Sequence, residues 1–132
     1  MYVDQPASNL YAENRRVVIL PIGSCEQHGP HLPVDTDLRI AQLIAEKLTK
    51  SFPSGQAILL PAIPFSCSWE HKGLGTLALS TSTLSAILYD IFNVLTRSFL
   101  PFGIQQCISK FTLYIYHEIR CLSMVFGVQF TL

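Results

Sequence analysis

The stretch VVILPIGSCEQHGPHLPVDTDLRIAQLIAEKL, residues 17–48, changes character twice. Its first six residues, VVILPI, form a continuous apolar run rich in β-branched side chains and stop at Gly23. A strand covered on both faces reads this way, so this one is predicted to be a central strand of a parallel sheet. Asp35 or Thr36 can then cap a helix with Asp37 in its first turn and Ile40, Ala41, Leu43, Ile44 and Leu48 at helical spacing, running towards Lys50.

The pattern repeats further on. After a Pro-Ser-Gly turn at residues 53–55, the run AILLPAIPF at residues 57–65 reads as a second strand, shortened by Pro61 and Pro64. A loop rich in Ser, Gly, Trp and His follows, then an apolar stripe from Ser82 through Leu84, Ile87, Leu88, Ile91, Leu95 and Phe99, with Pro101 and Gly103 as stop signals. Strand, helix, strand, helix predicts an α/β fold with a parallel sheet, in which ligands bind beyond the carboxyl ends of the strands. A third strand is expected to start at residues 104–108, and residues 109–132 form an apolar tail without clean periodicity that stays unassigned.

The 132 residues fit one domain. Nine basic residues balance nine acidic ones without a block of either sign, which argues against nucleic acid as a partner. The tail is long and apolar, but His117, Glu118 and Arg120 interrupt it, and charges there cost a spanning helix roughly 2.5–3.5 kcal/mol each. A membrane span is rejected. Cys25, Cys67, Cys107 and Cys121 are far apart with no C-x-x-C pair, consistent with reduced thiols in the cytoplasm. With 49% hydrophobic and 14% charged residues, the chain is expected to bury surface against partners.

The loop between the first strand and helix carries the chemistry. On an extended segment, Glu26 and His28 project to the same side, and Asp37 follows at the helix start. Together they make an N/O ligand set suited to zinc or manganese. A second reading needs no metal: an acid in the first turn is stabilised by the helix macrodipole at about 0.3–1 kcal/mol. The residues alone leave both open. His31 reads as a loop or supporting histidine, Cys25 as a small buried hydrophobe, and Gly29, Pro30 and Pro33 as stiffeners. In the second loop, Glu70 and His71 precede Gly73 and Gly75, which permit close backbone approach; Trp69 reads as packing.

Residues 17–48, with a strand ending in G-S-C-E-Q-H-G-P-H-L-P and a D-T-D helix start, closely resemble the N-terminal signature of the creatininase family of metal-dependent amidohydrolases. Residues 61–91, with E-H, a G-T-L segment and a helix, resemble its second block. The resemblance implies a three-layer α/β/α fold with a mainly parallel sheet, here incomplete, that hydrolyses a C–N bond in a small-molecule amide, cyclic amide or formamide. It implies two divalent metal ions, zinc or manganese, with Glu26 and His28 each binding one and Asp37 bridging them. His71, Gly75 and Thr76 would border the substrate pocket, and a homo-oligomer is the family habit.

The departures matter too. Residues 1–108 fit the N-terminal part of the family domain, but the family's histidine-bearing N-G-H-G-G-N type motif and its general acid/base region have no counterpart after it. A truncated or frame-shifted coding sequence would account for this, and activity of the chain is then impaired. The alternative is a catalytically inactive remnant or assembly subunit of the same fold. Before G-T, one residue fewer than the usual pattern also puts the placement of His71 in question.

Overall fold

A computed structural model of the chain describes residues 17–71, 73–99 and 124–129, with side chains up to residue 95. Strand β1 (Val17–Ile22) is followed by helix α1 (Thr36–Ser51), strand β2 (Ala57–Leu59), a 3₁₀ turn (Trp69–His71), helix α2 (Thr81–Phe99) and strand β3 (Met124–Gln129). The strand start expected at residues 104–108, the stop signals Pro101 and Gly103, and Cys107, His117, Glu118 and Cys121 lie outside the described residues.

β1 is the centre of the sheet, in the order β2-β1-β3. It pairs in parallel with β2, Val17 opposite Ala57 and Ile19 opposite Leu59, as the βαβ pattern requires. Pro61 ends β2 early, yet Ile63 N–H still donates to Pro21 O and Gly23 N–H to Ile63 O, so the two chains stay together to the end of β1. β3 lies on the other side of β1 and runs antiparallel, Val17 opposite Gln129 and Ile22 opposite Met124. Part of the tail that periodicity left unassigned is thus a strand of the same sheet.

Side chains alternate across a strand, and here the alternation builds three layers. Ile19 packs with Ala45 of α1 and with Ala57 and Leu59 of β2. Its neighbours Leu20 and Ile22 face the other way, onto Leu84 and Leu88 of α2. With a helix over each face, β1 is buried along almost its whole length, which is why it reads as an unbroken apolar run.

α1 meets the sheet differently from its periodicity. The buried line is Ala41, Ala45 and Thr49, whose hydroxyl donates to Ala45 O at 2.7 Å. Ile40, Leu43, Ile44 and Leu48 all lie on exposed parts of the helix. Small residues at four-residue spacing let the helix axis come close to the sheet, and the larger ones are left outside.

The helix starts also differ in detail. Asp35 occupies the cap position of α1 without capping a backbone N–H by its side chain; its carboxylate accepts instead from Arg39 Nε at 2.9 Å. At α2, Ser80 does cap, its Oγ accepting from Thr83 N–H at 3.1 Å, so the helix begins at Thr81, one residue before the expected Ser82. Among the described residues no helix is long and apolar enough to cross a membrane.

Candidate metal centre

Two loops leave the carboxyl ends of β1 and β2 on the same edge of the sheet and lean on each other. The first is closed at its neck by Glu26 N–H donating to Val34 O at 3.0 Å. The second is closed by Leu79 N–H donating to Ser66 O at 2.9 Å. They are joined by Leu77 N–H to Cys25 O at 2.8 Å and by Gln27 N–H to Thr76 Oγ1 at 3.1 Å.

The first loop brings Glu26, His28 and Asp37 together: one ligand atom from each lies within 4.8 Å of the others. Glu26 and His28 converge because alternate residues share a side, while Gln27 between them is exposed. Asp37 arrives from the first turn of α1. That turn can approach because Gly23 has no side chain: a Cβ there would fall on the Cα of Leu38.

Each group is held in a definite way. His28 Nδ1 lies 2.9 Å from Glu26 O, and since a carbonyl only accepts, the proton is on Nδ1. In the neutral ring this leaves the Nε2 lone pair facing Asp37 Oδ2 at 3.4 Å. Two acceptors so placed repel unless a proton or a cation lies between them. Ser24, itself buried at the end of β1, donates its hydroxyl to the same Asp37 Oδ2 at 2.7 Å.

Glu26 is only 3% exposed, and a buried carboxylate is costly without a compensating charge or hydrogen bonds. His71 Nε2 stands 4.0 Å from its Oε1, beyond hydrogen-bond range. A buried carboxylate, an imidazole with Nε2 directed inward and a second carboxylate suit a hard to borderline divalent cation such as zinc or manganese.

The remaining predicted site residues fall around this cluster. His71 is at its edge, beside Glu26. Gly75 is exposed, and its φ of +93° is one that other residues rarely adopt. Thr76 is a strut between the loops, its hydroxyl donating to His71 O at 2.6 Å while accepting from Gln27 N–H. His31 is exposed and outside the cluster, Cys25 is half-buried, and Glu70 is exposed. Trp69, read as packing, is 52% exposed at a cavity wall. Ser24 was missed; its one sequence signal is a small hydroxyl residue immediately after the strand-ending glycine.

The fold and the cluster define an α/β/α protein with a group of side chains that could hold a metal ion, and comparison with known proteins narrows the class. Residues 4–102 match the family model described as creatininase, creatinine amidohydrolase. The chain is 41% identical over 78 residues to the mycofactocin precursor peptide peptidase of Mycolicibacterium smegmatis, covering 56% of this chain and 32% of that one. It is 40% identical over 81 residues to the protein of the same name from Mycobacterium tuberculosis, covering 55% and 32%. To the creatinine amidohydrolase of Pseudomonas putida it is 25% identical over 87 residues, covering 61% and 32%. No solved structure matches it significantly. The chain belongs to the creatininase family, whose named relatives here are hydrolases, and it spans about a third of the length of the curated relatives it matches.

Proposed function

We propose that this chain carries the first half of a two-metal amidohydrolase site, with Glu26, His28 and Asp37 holding divalent zinc or manganese. The observation that supports this most is the convergence of their three ligand atoms within 4.8 Å at the carboxyl end of β1. Bound there, the ions would supply Lewis acidity at a carbonyl oxygen and make water acidic enough to ionise near neutral pH. Ser24 orients Asp37, and the Glu26 carbonyl orients His28. His71, Gly75 and Thr76 belong to the proposed substrate side, where His71 can contribute an imidazole beside the cluster.

The substrate class is an amide, in a small molecule or in a peptide. The relatives' names support both, one group naming a precursor-peptide peptidase and another creatinine. Residues 1–108 are proposed as part of the family domain, in a homo-oligomer in the cytoplasm. Free Cys25 and Cys67 accord with a reducing compartment. The exposed Ile40, Leu43, Ile44 and Leu48 of α1 offer an apolar face for assembly.

The second reading is an inactive assembly subunit. The three ligands found among the described residues are fewer than two metals require, and that apolar face favours a structural role. Hydrolysis of creatinine and of short peptides, assayed on the zinc-loaded and manganese-loaded chain beside Glu26→Gln, separates the two. Metal-dependent release of product that Glu26→Gln abolishes supports the enzyme. Tight metal binding with no turnover of either substrate supports the inactive subunit.

A further inference from the structure

Beside the ligand cluster lies a cavity of about 450 Å³, walled chiefly by Phe65, Trp69, Gly73, Thr76, Leu77 and Leu79. Its volume is in the ordinary range for small-ligand sites. The described residues that line it bring no charged side chain.

Trp69 is set rigidly in this wall. Its Nε1–H donates to Leu79 O at 2.7 Å, across the neck of the loop that Leu79 N–H and Ser66 O close. The polar atom of the indole is therefore engaged, and the exposed part of the ring offers an apolar π face.

The cavity and the ligand cluster share structure. Trp69 and His71 belong to one 3₁₀ turn, and His71 Nε2 is 4.0 Å from Glu26 Oε1. Thr76, in the cavity wall, bonds both His71 O and the N–H of Gln27, the residue between Glu26 and His28. A group bound against Trp69 is thus covalently within reach of an amide presented to the cluster.

We propose that this cavity is a specificity subsite for an uncharged aromatic or branched aliphatic side chain flanking the amide that is hydrolysed. This rests on the hydrolase reading of Glu26, His28 and Asp37. It favours a peptide-like amide over a compact polar ring such as creatinine, which would leave the apolar wall wetted.

Trp69 is the single tryptophan of the chain, so its emission reports the cavity directly. The full chain is titrated, with and without zinc, with N-acetylphenylalaninamide, N-acetylleucinamide, N-acetylglycinamide and creatinine. The first two should give saturable changes with half-saturation at least about tenfold lower than glycinamide, the lower end of what burial of one such side chain contributes. Leu77→Glu, at an exposed position of the wall, should weaken phenylalaninamide by about tenfold or more in a chain whose circular dichroism is unchanged. If that variant does not fold, the four-probe series on the native chain decides alone. Equal or absent responses to the four probes overturn the subsite. Zinc binding measured alongside keeps the readings apart: zinc bound without probe preference sinks the subsite only, whereas probe preference without zinc binding sinks the hydrolase reading and with it the cavity's role beside a hydrolysed amide, leaving an apolar binding cavity.

Discussion

The Cα of Leu38 occupies the space into which a side chain on Gly23 would project. This contact sets the distance between the end of β1 and the first turn of α1, and with it the approach of Asp37 to His28. Replacing Gly23 by Ala would force backbone to move, since no flexible side-chain tip is available to give way. Gly23→Ala is expected to lower stability by about 1–3 kcal/mol, as overpacking does. It should also weaken zinc binding, because the helix carrying Asp37 shifts outward. Urea denaturation of the variant checks the first part; a midpoint equal to the native one contradicts the contact.

Ser24 acts on the cluster through Asp37 alone, by its 2.7 Å hydrogen bond. Residues that orient a metal ligand typically contribute 10–100-fold to affinity. Ser24→Ala is therefore expected to weaken zinc by roughly 10–100-fold, with Ser24→Thr recovering part of it. Competition with a chromogenic chelator measures this. Unaltered affinity in Ser24→Ala would show that Asp37 is oriented by something else.

The two helix faces of α1 make opposite predictions. Ala45 is fully buried between β1 and β2, so Ala45→Leu should cost about 1–3 kcal/mol. Ile44 next to it is 47% exposed, and Ile44→Gln should stay within about 0.5 kcal/mol in the monomer. On the other face of the sheet, Leu88→Ala should cost about 2–5 kcal/mol. If Ile44→Gln proves the most damaging of the three in dilute solution, the buried line of α1 is misplaced.

The Thr76 hydroxyl makes two hydrogen bonds, accepting from Gln27 N–H across to the first loop and donating to His71 O within its own. Thr76→Val removes both while keeping the shape, at a cost of about 1–3 kcal/mol, and Thr76→Ser keeps both. Thermal unfolding followed by Trp69 emission compares them. Equal melting of the Val and Ser variants would mean that the strut carries no weight.

Much of this was legible in the sequence, for identifiable reasons. β1 reads as a buried strand because α1 and α2 cover both its faces, and the convergence of Glu26 and His28 is readable because they alternate on an extended loop. The buried line of α1 was not legible from its apolar spacing, because that spacing counts the large Ile40, Leu43, Ile44 and Leu48 together with Ala41, whereas close packing on the sheet selects the small Ala41 and Ala45. β3 was not legible: a strand added to the edge of β1 from residues 124–129 depends on a pairing that no local pattern encodes. The roles of Ser24 and Thr76 depend on bonds across 13 and 49 residues of sequence, which spacing does not reveal.

The central claim is that Glu26, His28 and Asp37 form a metal site, and calorimetric titration of zinc into the metal-free chain and into its Asp37→Ala variant tests it most directly. The account predicts saturable binding by the native chain and a loss of at least about tenfold in affinity in Asp37→Ala, with helix content preserved. Zinc binding of equal strength by the two proteins, or none by the native chain, would contradict it.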